Sequence, residues 1–569
     1  MKKYMKSIRT LAVLLMAGVL FVSCTKDEEP EPAASQTYTM TVNASKGGDK
    51  ASKQLVLDGQ TLNATWAEGE AVTVYNVTKS AALTGTLTAQ SSGTSTTLKG
   101  DLTGTIENGD KLLLKFLSDN YNGQNGTLEY IAAHCDYAEA TVNVTDASTS
   151  SVTTSDADFT NQQAIIKFTL KKSDGTALPC NPEALRVSDG TNTIVMTGIP
   201  GSTYTNEKNG NGVLYVAMPG FSDKTVIIDA YCNEKLYTYT RANVSFANSS
   251  YYAITVKMSP TTNVDLARVI SNLELQDGNT ATGTLGSNVR VSIASGAEVT
   301  LSGATINGSN NWHFAWAGLE CRGNATVVLA DGTTNTIRGF YSTHPGIYIP
   351  NGYTLTIQGT GRLDVSSNGF GSGIGGGEYI SDCGNIVIKS GIINATGGDY
   401  AAGIGSGNNA SCGDISISGG IVTAHGGEDA AGIGSGHMSS CGDISISGGI
   451  VTATGGAAGI GTGNGADGDE GFMDPEFPTP GIPAEPSTSG TITISGGTIE
   501  AIGGYYGAGI GTGFVGDCGN ITITGGVTHV TATKGSAASQ SIGTGNNGAN
   551  FSQDSYSITI EDPSKVTQN

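Results

Sequence analysis

Basic residues are scarce in this sequence. Lys and Arg number 29 against 50 Asp and Glu in 569 residues, and the formal net charge is −21. Proteins that bind nucleic acid rely on Lys and Arg, because these side chains displace the counterions of the phosphates. The charge balance therefore predicts that no nucleic acid is a partner.

Long apolar runs are also rare, and the clearest one is too short to cross a bilayer. It extends from Leu11 to Val22, after four basic residues and before the small Ser23. A basic start, a short apolar run and a small residue are typical of a secretion signal. We predict a signal peptide at residues 1–23 and an acidic linker at 24–36, and we expect no later segment to span a membrane.

The end of the predicted signal peptide resembles the lipobox of bacterial lipoproteins. The letters LFVSC stand at residues 20–24, with Phe21 where that family prefers Leu, and TKDEE follows. These acidic letters resemble the signal that sends lipoproteins of anaerobic gut and oral bacteria to the outer face of the outer membrane. The resemblance implies a lipid on Cys24 and a surface-exposed protein anchored in the cell outer membrane. The alternative is an ordinary signal peptide followed by a linker.

Glycine is abundant, and much of it belongs to a repeat of the C-terminal half. Cys383, Cys412 and Cys441 open copies that read CGNIVIKSGIINATGGDYAAGIGSG, CGDISISGGIVTAHGGEDAAGIGSG and CGDISISGGIVTATGGAAGIGTG. Related copies begin near Tyr353, near Ser489 and at Cys518. Self-similarity at such a period is the signature of a solenoid.

Apolar residues alternate within each copy in three short runs separated by glycines, which predicts three strands per coil. Alternation places every second side chain inside the coil. The predicted interior ladders are Ile357, Ile388, Ile417, Ile446, Ile494 and Ile523, and Ile374, Ile404, Ile433, Ile460 and Ile510. The predicted fold class is all-β, with a right-handed parallel β-helix of about ten coils at residues 263–569.

Two segments depart from the repeat. The spacing of Leu266, Val269, Ile270 and Leu273 predicts a short amphipathic helix that caps the first coil. Residues 466–486 are rich in acids and exceed the repeat, so we predict a projecting loop there. We expect no cofactor, with weak calcium binding by this loop as the alternative.

The repeat brings its cysteines together on neighbouring coils. Coils about 4.8 Å apart are within disulfide range, but the Cβ atoms of in-register cysteines point in parallel directions. We predict a ladder of buried thiols, with disulfides as the alternative, and we expect no zinc site. Pairing of Cys180 with Cys232 stays open.

Residues 37–260 contain alternating strands between polar turns, which predicts two β-sandwich domains at 37–150 and 151–260. The letters WAEGE and VTVY at 66–75 and YYAITV at 251–256 resemble the fimbrillin-like family of surface lipoproteins. Major pilins of that family lose an N-terminal strand after cleavage at an Arg, whereas no Arg occurs here between Cys24 and Arg186. The resemblance implies an anchored stalk, with a fimbrial accessory or tip subunit that joins other fimbrial subunits as the alternative.

The β-helix repeats, through their GGT-hydrophobic-x-hydrophobic and GIG segments, resemble the carbohydrate-binding β-helix proteins of the pectate-lyase-like superfold. The resemblance implies a polysaccharide or host glycan as partner. A lyase needs a strong base such as Arg or Lys, and after Arg362 the sequence has Lys389, Lys534 and Lys565 alone. We predict a binding protein without enzymatic activity, with a polysaccharide lyase or hydrolase as the alternative.

Aromatic side chains on the coils are candidates for stacking on sugar rings. One group lies in the early coils and the other at the turn before the GIG segment. The candidate ligand-binding residues are Trp312, His313, Trp316, Tyr341, Tyr400, Tyr505 and Tyr506. An outward ladder of mostly hydroxyl side chains is the alternative surface: Thr356, Val387, Ser416, Ser445, Thr493 and Thr522. The whole sequence predicts a surface-anchored lipoprotein that binds carbohydrate or mediates adhesion through its β-helix.

Overall fold

The computed structural model describes residues 36–46, 56–58, 61–63, 65–199, 212–379, 382–467, 484–548, 551 and 555–569. Of the described residues, 52 % are in strands and 3 % are in helices, which confirms the predicted all-β class. The predicted signal peptide, Cys24 and the linker up to residue 35 lie outside the described residues. No helix in the described ranges is long and apolar enough to span a bilayer.

The chain divides into two compact units, of which the first comprises residues 1–52, 65–116 and 138–160. The first eleven strands of the chain are β1 (Gln36–Lys46), β2 (Val56–Asp58), β3 (Thr61–Asn63), β4 (Ala71–Asn76), β5 (Ala81–Ala82), β6 (Leu87–Ala89), β7 (Ser95–Gly104), β8 (Lys111–Phe116), β9 (Ala138–Ala147), β10 (Ser151–Thr154) and β11 (Ala157–Asn161). Of these, β2 and β3 pair with each other.

The other strands form a nine-stranded sheet in the order β10-β1-β11-β9-β8-β4-β6-β7, with β5 on β4. The sheet closes on itself, because β1 pairs in parallel with β10 and β11 on one side and antiparallel with β7 on the other. Alternate residues of its strands are buried, among them Met40, Val72, Leu98 and Leu112. This alternation is what encloses an apolar core between the walls of the sheet.

The second unit comprises residues 53–64, 117–137 and 161–569. Besides β2 and β3, it contains helix α1 (Leu128–His134) and strands β12 (Gln163–Lys172), β13 (Ala184–Ser188), β14 (Thr193–Thr197), β15 (Val213–Pro219), β16 (Phe221–Cys232), β17 (Lys235–Phe246) and β18 (Ser250–Pro260). The strands form one sheet in the order β14-β13-β16-β17-β18-β12-β15. A disulfide joins Cys180 to Cys232, which answers the question that the sequence left open.

The rest of the second unit is the β-helix. Its strands are β19 (Asn263–Asp265), β20 (Leu273–Leu275), β21 (Thr280–Thr284), β22 (Val291–Ile293), β23 (Glu298–Asn307), β24 (Leu319–Cys321), β25 (Ala325–Leu329), β26 (Thr334–Arg338), β27 (Ile347–Tyr348), β28 (Thr354–Gly359), β29 (Arg362–Ser366), β30 (Ile374–Gly375), β31 (Asn385–Ile388), β32 (Ile392–Thr396), β33 (Ile404–Gly405), β34 (Ser411–Cys412), β35 (Ile415–Ile417), β36 (Ile421–His425), β37 (Ile433–Gly434), β38 (Ser440–Cys441), β39 (Ile444–Ile446), β40 (Ile450–Thr454), β41 (Ile460–Gly461), β42 (Ser487–Ser489), β43 (Ile492–Ile494), β44 (Thr498–Ile502), β45 (Ile510–Gly511), β46 (Gly516–Cys518), β47 (Ile521–Ile523), β48 (His529–Thr533), β49 (Ile542–Gly543), β50 (Ile558–Ile560) and β51 (Val566–Gln568).

These strands stack coil on coil into three parallel sheets. A 19-stranded sheet carries the two longer strands of each coil, and a four-stranded sheet, β34-β38-β42-β46, carries the cysteines. The third sheet holds the Gly-Ile-Gly segments in the order β20-β22-β24-β27-β30-β33-β37-β41-β45-β49. Its ten strands agree with the predicted number of coils.

The interior of the β-helix is the predicted pair of isoleucine ladders. All eleven residues are at most 1 % exposed. Neighbours stand in register, as Ile417 does with Ile446 and Ile404 with Ile433. The period-two prediction of which side chains face inward is confirmed, because strict alternation along a strand leaves no other way to bury these side chains.

The predicted cap helix is wrong. The segment contains a three-residue 3₁₀ helix, Leu266–Arg268, and Leu273 lies in β20, which pairs in parallel with β22. Leu266, Val269 and Leu273 are buried as expected, but an extended backbone buries them. Strand pairing with the next coil satisfies more backbone groups here than one isolated turn of helix would.

The predicted ladder of thiols is also wrong in part. Cys383 and Cys412 form a disulfide with a Cα separation of 4.4 Å, whereas Cys441 and Cys518 are free and buried. Cys383 lies in an isolated bridge with Cys412 rather than in a longer strand. We attribute the disulfide to this irregular backbone, which is less restricted in Cβ direction than regular strands in register.

The β-helix shares its core with the sheet that precedes it. Tyr231 and Leu236 belong to the same buried cluster as the first coils. The buried Asp229 accepts hydrogen bonds from Arg268 Nε at 3.1 Å and from Thr238 Oγ1 at 3.0 Å. An apolar core with an ion pair at its edge therefore joins the two parts of the second unit.

Candidate functional site

The Gly-Ile-Gly segments shape one corner of each coil. Ile404 is fully buried, and the backbone N–H of Ala402 donates to the carbonyl of Ser406 at 3.0 Å. The same bond closes the segment in neighbouring coils, from Ser372 to Gly376, Ala431 to Ser435, Ala458 to Thr462 and Ala508 to Thr512. The chain entering each segment therefore lies beside the chain leaving it.

The glycines of these segments are required by packing. A Cβ on Gly405 would lie 1.8 Å from the carbonyl oxygen of Gly434, and Gly405 has a φ of +137°. A Cβ on Gly432 would lie 2.7 Å from the backbone nitrogen of Thr454. These contacts explain the glycine content of the GIG strings by coil stacking.

Two lines of side chains flank the segments, and we call them together the corner stripe. Residues four positions before the central Ile are Phe370, Tyr400, Asp429 and Tyr506, and residues four positions after it are Glu378, Asn408, His437, Asn464 and Phe514. Backbone bonds tie the lines together across coils: His437 N donates to the carbonyl of Tyr400 at 2.9 Å, and Asn464 N to that of Asp429 at 2.8 Å.

Aromatic rings of the corner stripe contact one another. Phe370 stacks on Tyr400 with ring centroids 5.9 Å apart and planes 9° apart, and Tyr400 lies 5.5 Å from His437. Further along, Tyr506 lies 4.6 Å from Tyr505 and 5.2 Å from Phe514. Tyr505 is 61 % exposed and Tyr506 is 39 % exposed. The rings thus offer flat apolar surface to solvent at two places along the rod.

Amide and carboxylate groups alternate with these rings. Asn408 Nδ2 donates to Glu378 Oε1 at 3.2 Å, and Asn464 Nδ2 donates to Asp429 Oδ1 at 2.6 Å. His437 Nδ1 lies 3.4 Å from Asn408 Oδ1. Burial lowers the pKa of His437, and the charge of Asp429 opposes this shift. The imidazole is therefore neutral near pH 7.

The backbone is strained directly after the second line of the corner stripe, which follows the Gly-Ile-Gly segment. The next residue has a positive φ in four coils: Tyr379, Asn409, Met438 and Val515, at 58°, 50°, 48° and 47°. Non-glycine residues rarely adopt this conformation. Met438 N donates to the carbonyl of Asn464 at 2.9 Å, and Asn409 N to that of His437 at 3.0 Å. Coil-to-coil bonds therefore hold the strained residues and fix the direction of the side chains before them.

The predicted residues of the early coils lie in two settings. Trp312 is 67 % exposed and its ring lies 3.6 Å from that of His313. Trp316 is half-buried against Phe314 and packs on the β-helix core. Tyr341 is half-buried. All four precede strands of the Gly-Ile-Gly sheet, as the first line of the corner stripe does. Leu319 stands in register with Ile347, and Ile347 with Ile374.

The structure thus groups Tyr400, Tyr505 and Tyr506 with residues that the sequence analysis missed, namely Phe370, His437, Phe514 and the two asparagines. The missed signal is their fixed offset of four from the central Ile. It was hidden because the residue types differ from coil to coil.

The two other surfaces considered for binding are the ladder of hydroxyl side chains and the loop at residues 466–486. Ser416, Ser445, Thr493 and Thr522 stand in register and are half-buried. In the predicted loop, Ala466 bridges to Glu485, and residues 468–483 lie outside the described residues. The described part of the chain contains no group of three or more His, Cys, Asp and Glu positioned to hold a metal ion. Calcium binding by the loop stays a prediction.

The C-terminal repeats match a family model described as "Beta helix repeat". The matched residues are 386–408, 415–437, 444–464 and 492–514, which include most of the corner stripe. Comparison with curated proteins finds no match.

Similar solved structures include adhesion and fimbrial proteins. A proposed cell adhesion protein from Bacteroides uniformis has 11 % identity and a TM-score of 0.23, covering 41 % of this chain and 98 % of its own. A fimbrial assembly protein from Parabacteroides distasonis has 12 % identity and a TM-score of 0.21, covering 39 % and 91 %. A truncated tip fimbrial protein from Porphyromonas gingivalis has 7 % identity and a TM-score of 0.21, covering 39 % and 95 %.

The β-helix repeats predicted for the C-terminal region are found there, and the similarity to fimbrial and adhesion proteins covers about two fifths of the chain.

Proposed function

We propose that this is a cell-surface adhesion protein that binds carbohydrate along the corner stripe of its β-helix. The observation that carries the proposal is the stack of Phe370, Tyr400 and His437, beside amides that are held by hydrogen bonds to carboxylates. Aromatic faces pack against the C–H surfaces of sugar rings, and neighbouring polar groups bind the hydroxyls.

The stripe suits a polymer better than a single sugar. It runs over five coils, from the one containing Ile374 to the one containing Ile510. At about 4.8 Å per coil its length is about 19 Å. The positions of the stripe repeat along the rod at the coil spacing, so that a chain of sugars can contact aromatic or polar side chains on successive coils, as binding by several weak contacts requires.

The N-terminal sequence is the basis for proposing that the protein is attached to the cell surface. The proposal places a lipid on Cys24 in the outer membrane and assigns a spacer role to the two N-terminal sheets. An accessory role among fimbrial subunits is compatible with this arrangement.

The proposal assigns no catalytic role to the carboxylates of the stripe. Glu378 and Asp429 each accept a hydrogen bond from an asparagine amide, which orients the amide. A polysaccharide lyase or hydrolase remains the enzymatic alternative, and product release from a bound polysaccharide would establish it.

A glycan array probed with the mature chain tests the proposal. We expect binding to at least one polysaccharide, and we expect the double variant Tyr400→Ala, Tyr506→Ala to lose at least tenfold in affinity, because anchor residues contribute about 1–3 kcal/mol each. Tyr353→Ala is the matched control, since Tyr353 is exposed but lies outside the stripe. Equal binding by the double variant and the control would contradict the proposal.

A further inference from the structure

We propose that the corner stripe takes uncharged polysaccharide and excludes polyanionic glycans such as uronate or sulfate polymers. This inference rests on the proposed function and names the substrate class of the same site. It follows from the charge of the groups that border the stripe and from how those groups are hydrogen-bonded.

The stripe is strongly acidic in its surroundings. From residue 363 to 569 the sequence has 19 Asp and Glu against three Lys and no Arg. Four of the acids lie in the stripe or next to it, and two of them, Asp399 and Glu428, are exposed to solvent. The four are Glu378, Asp399, Glu428 and Asp429. A polymer with one negative charge on each sugar would meet repulsion over the three coils that contain these acids.

The few cations of this region are not available to offset that repulsion. Lys534 Nζ donates to the carbonyls of Ala538 at 2.9 Å and Ser539 at 3.1 Å, and Lys565 Nζ donates to that of Gly525 at 2.6 Å. Lys389 follows β31 on the 19-stranded sheet, away from the stripe. His437 is neutral near pH 7 because it is half-buried.

The hydrogen-bonding capacity of the stripe fits hydroxyl groups. Ionised Glu378 and Asp429 are acceptors only, and each has a second oxygen beyond the one bonded to asparagine. A sugar hydroxyl donates to such an oxygen, whereas a carboxylate or sulfate group places another acceptor there. Charge and hydrogen-bond polarity therefore select the same class of ligand.

Affinity gel electrophoresis of the mature chain tests this inference with named polysaccharides. Galactomannan, xyloglucan and mixed-linkage β-glucan are the neutral probes, polygalacturonate, alginate and chondroitin sulfate the anionic probes, and chitosan the cationic one. We expect retardation by at least one neutral probe, changing less than about twofold between 50 and 500 mM NaCl because no charge pair is formed. The anionic probes should not retard the chain, whereas the charge-reversal variant Asp399→Lys, Glu428→Lys should gain retention by them.

The other outcomes separate two failures. Stronger retention by an anionic probe or by chitosan than by every neutral probe would overturn the inference and leave carbohydrate binding intact. Retention by none of the probes would overturn the proposed function together with the inference. Retention by a neutral probe that survives Tyr400→Ala, Tyr506→Ala unchanged would overturn both for this site.

Discussion

Ser416 and Ile417 are neighbours in β35 that face opposite sides of the sheet. Ile417 is fully buried in a ladder of isoleucines, whereas Ser416 is half-buried on the outer face. The free energy of unfolding is therefore far more sensitive to a charge at one position than at the next. The same contrast between an inward Ile and the outward residue before it recurs in the repeat. Substitutions at the two positions therefore test which side chains face the interior.

We predict that Ile417→Asp lowers the free energy of unfolding by about 3–5 kcal/mol, because the ladder provides no partner for a buried carboxylate. Ser416→Asp should lower it by less than about 1 kcal/mol. Thermal and denaturant melts of both variants give the comparison. Equal destabilisation would show that the inward and outward assignment is wrong.

The cysteine ladder gives a second prediction at this scale. Cys412 stands in register with Cys383 and also with Cys441, so either neighbour is within reach of its sulfur. In the Cys383→Ser variant we expect Cys412 to form a disulfide with Cys441 under oxidising conditions. Among the cysteines after Cys24, the wild type has four free thiols.

Titration of thiols in the denatured chain without Cys24 measures this outcome. The rearranged variant has three free thiols, at Cys135, Cys321 and Cys518. A count of five would mean that Cys412 and Cys441 both stay reduced and that register does not determine pairing.

At the scale of elements, the Gly-Ile-Gly segment is a part of the coil that leaves little room for side chains. We predict that Gly432→Ala lowers the free energy of unfolding by about 1–3 kcal/mol, because its Cβ would meet Thr454 N at 2.7 Å and Gly459 O at 2.8 Å. Gly286→Ala is the control, since its nearest neighbour is the Ala267 carbonyl oxygen at 4.0 Å. Melts of the two variants that coincide would contradict the packing account.

The strands and turns show which features of the structure could be predicted from the sequence. Periodicity predicted the strands and the inward isoleucines, because burial of one face imposes alternation on any coil. It misplaced Leu266–Leu273, because helical and extended backbones can bury the same apolar residues. It missed Phe370, His437 and Phe514, since their proximity depends on the bond that closes each Gly-Ile-Gly segment and on stacking between coils. Periodicity also did not predict the disulfide of Cys383, because this disulfide depends on a local break in regular strand pairing.

At the scale of the whole molecule, the N-terminal sequence and the corner stripe lie at opposite ends of the amino-acid sequence. We predict that Cys24→Ala releases the protein from the membrane fraction, because the lipid is the hydrophobic attachment that the sequence predicts. Fractionation of cells followed by detection of the protein measures the change, and protease digestion of intact cells tests exposure. Retention of the variant in the membrane fraction would contradict lipid anchoring.

The central claim is that the corner stripe is where carbohydrate binds, and a crystal structure of the chain with an oligosaccharide from the glycan array tests it most directly. We expect sugar rings against Tyr400 and Tyr506, with hydroxyl groups in hydrogen-bond distance of the free oxygens of Glu378 or Asp429. An oligosaccharide bound instead on the ladder of Ser416 and Ser445, with the corner stripe empty, would contradict the claim.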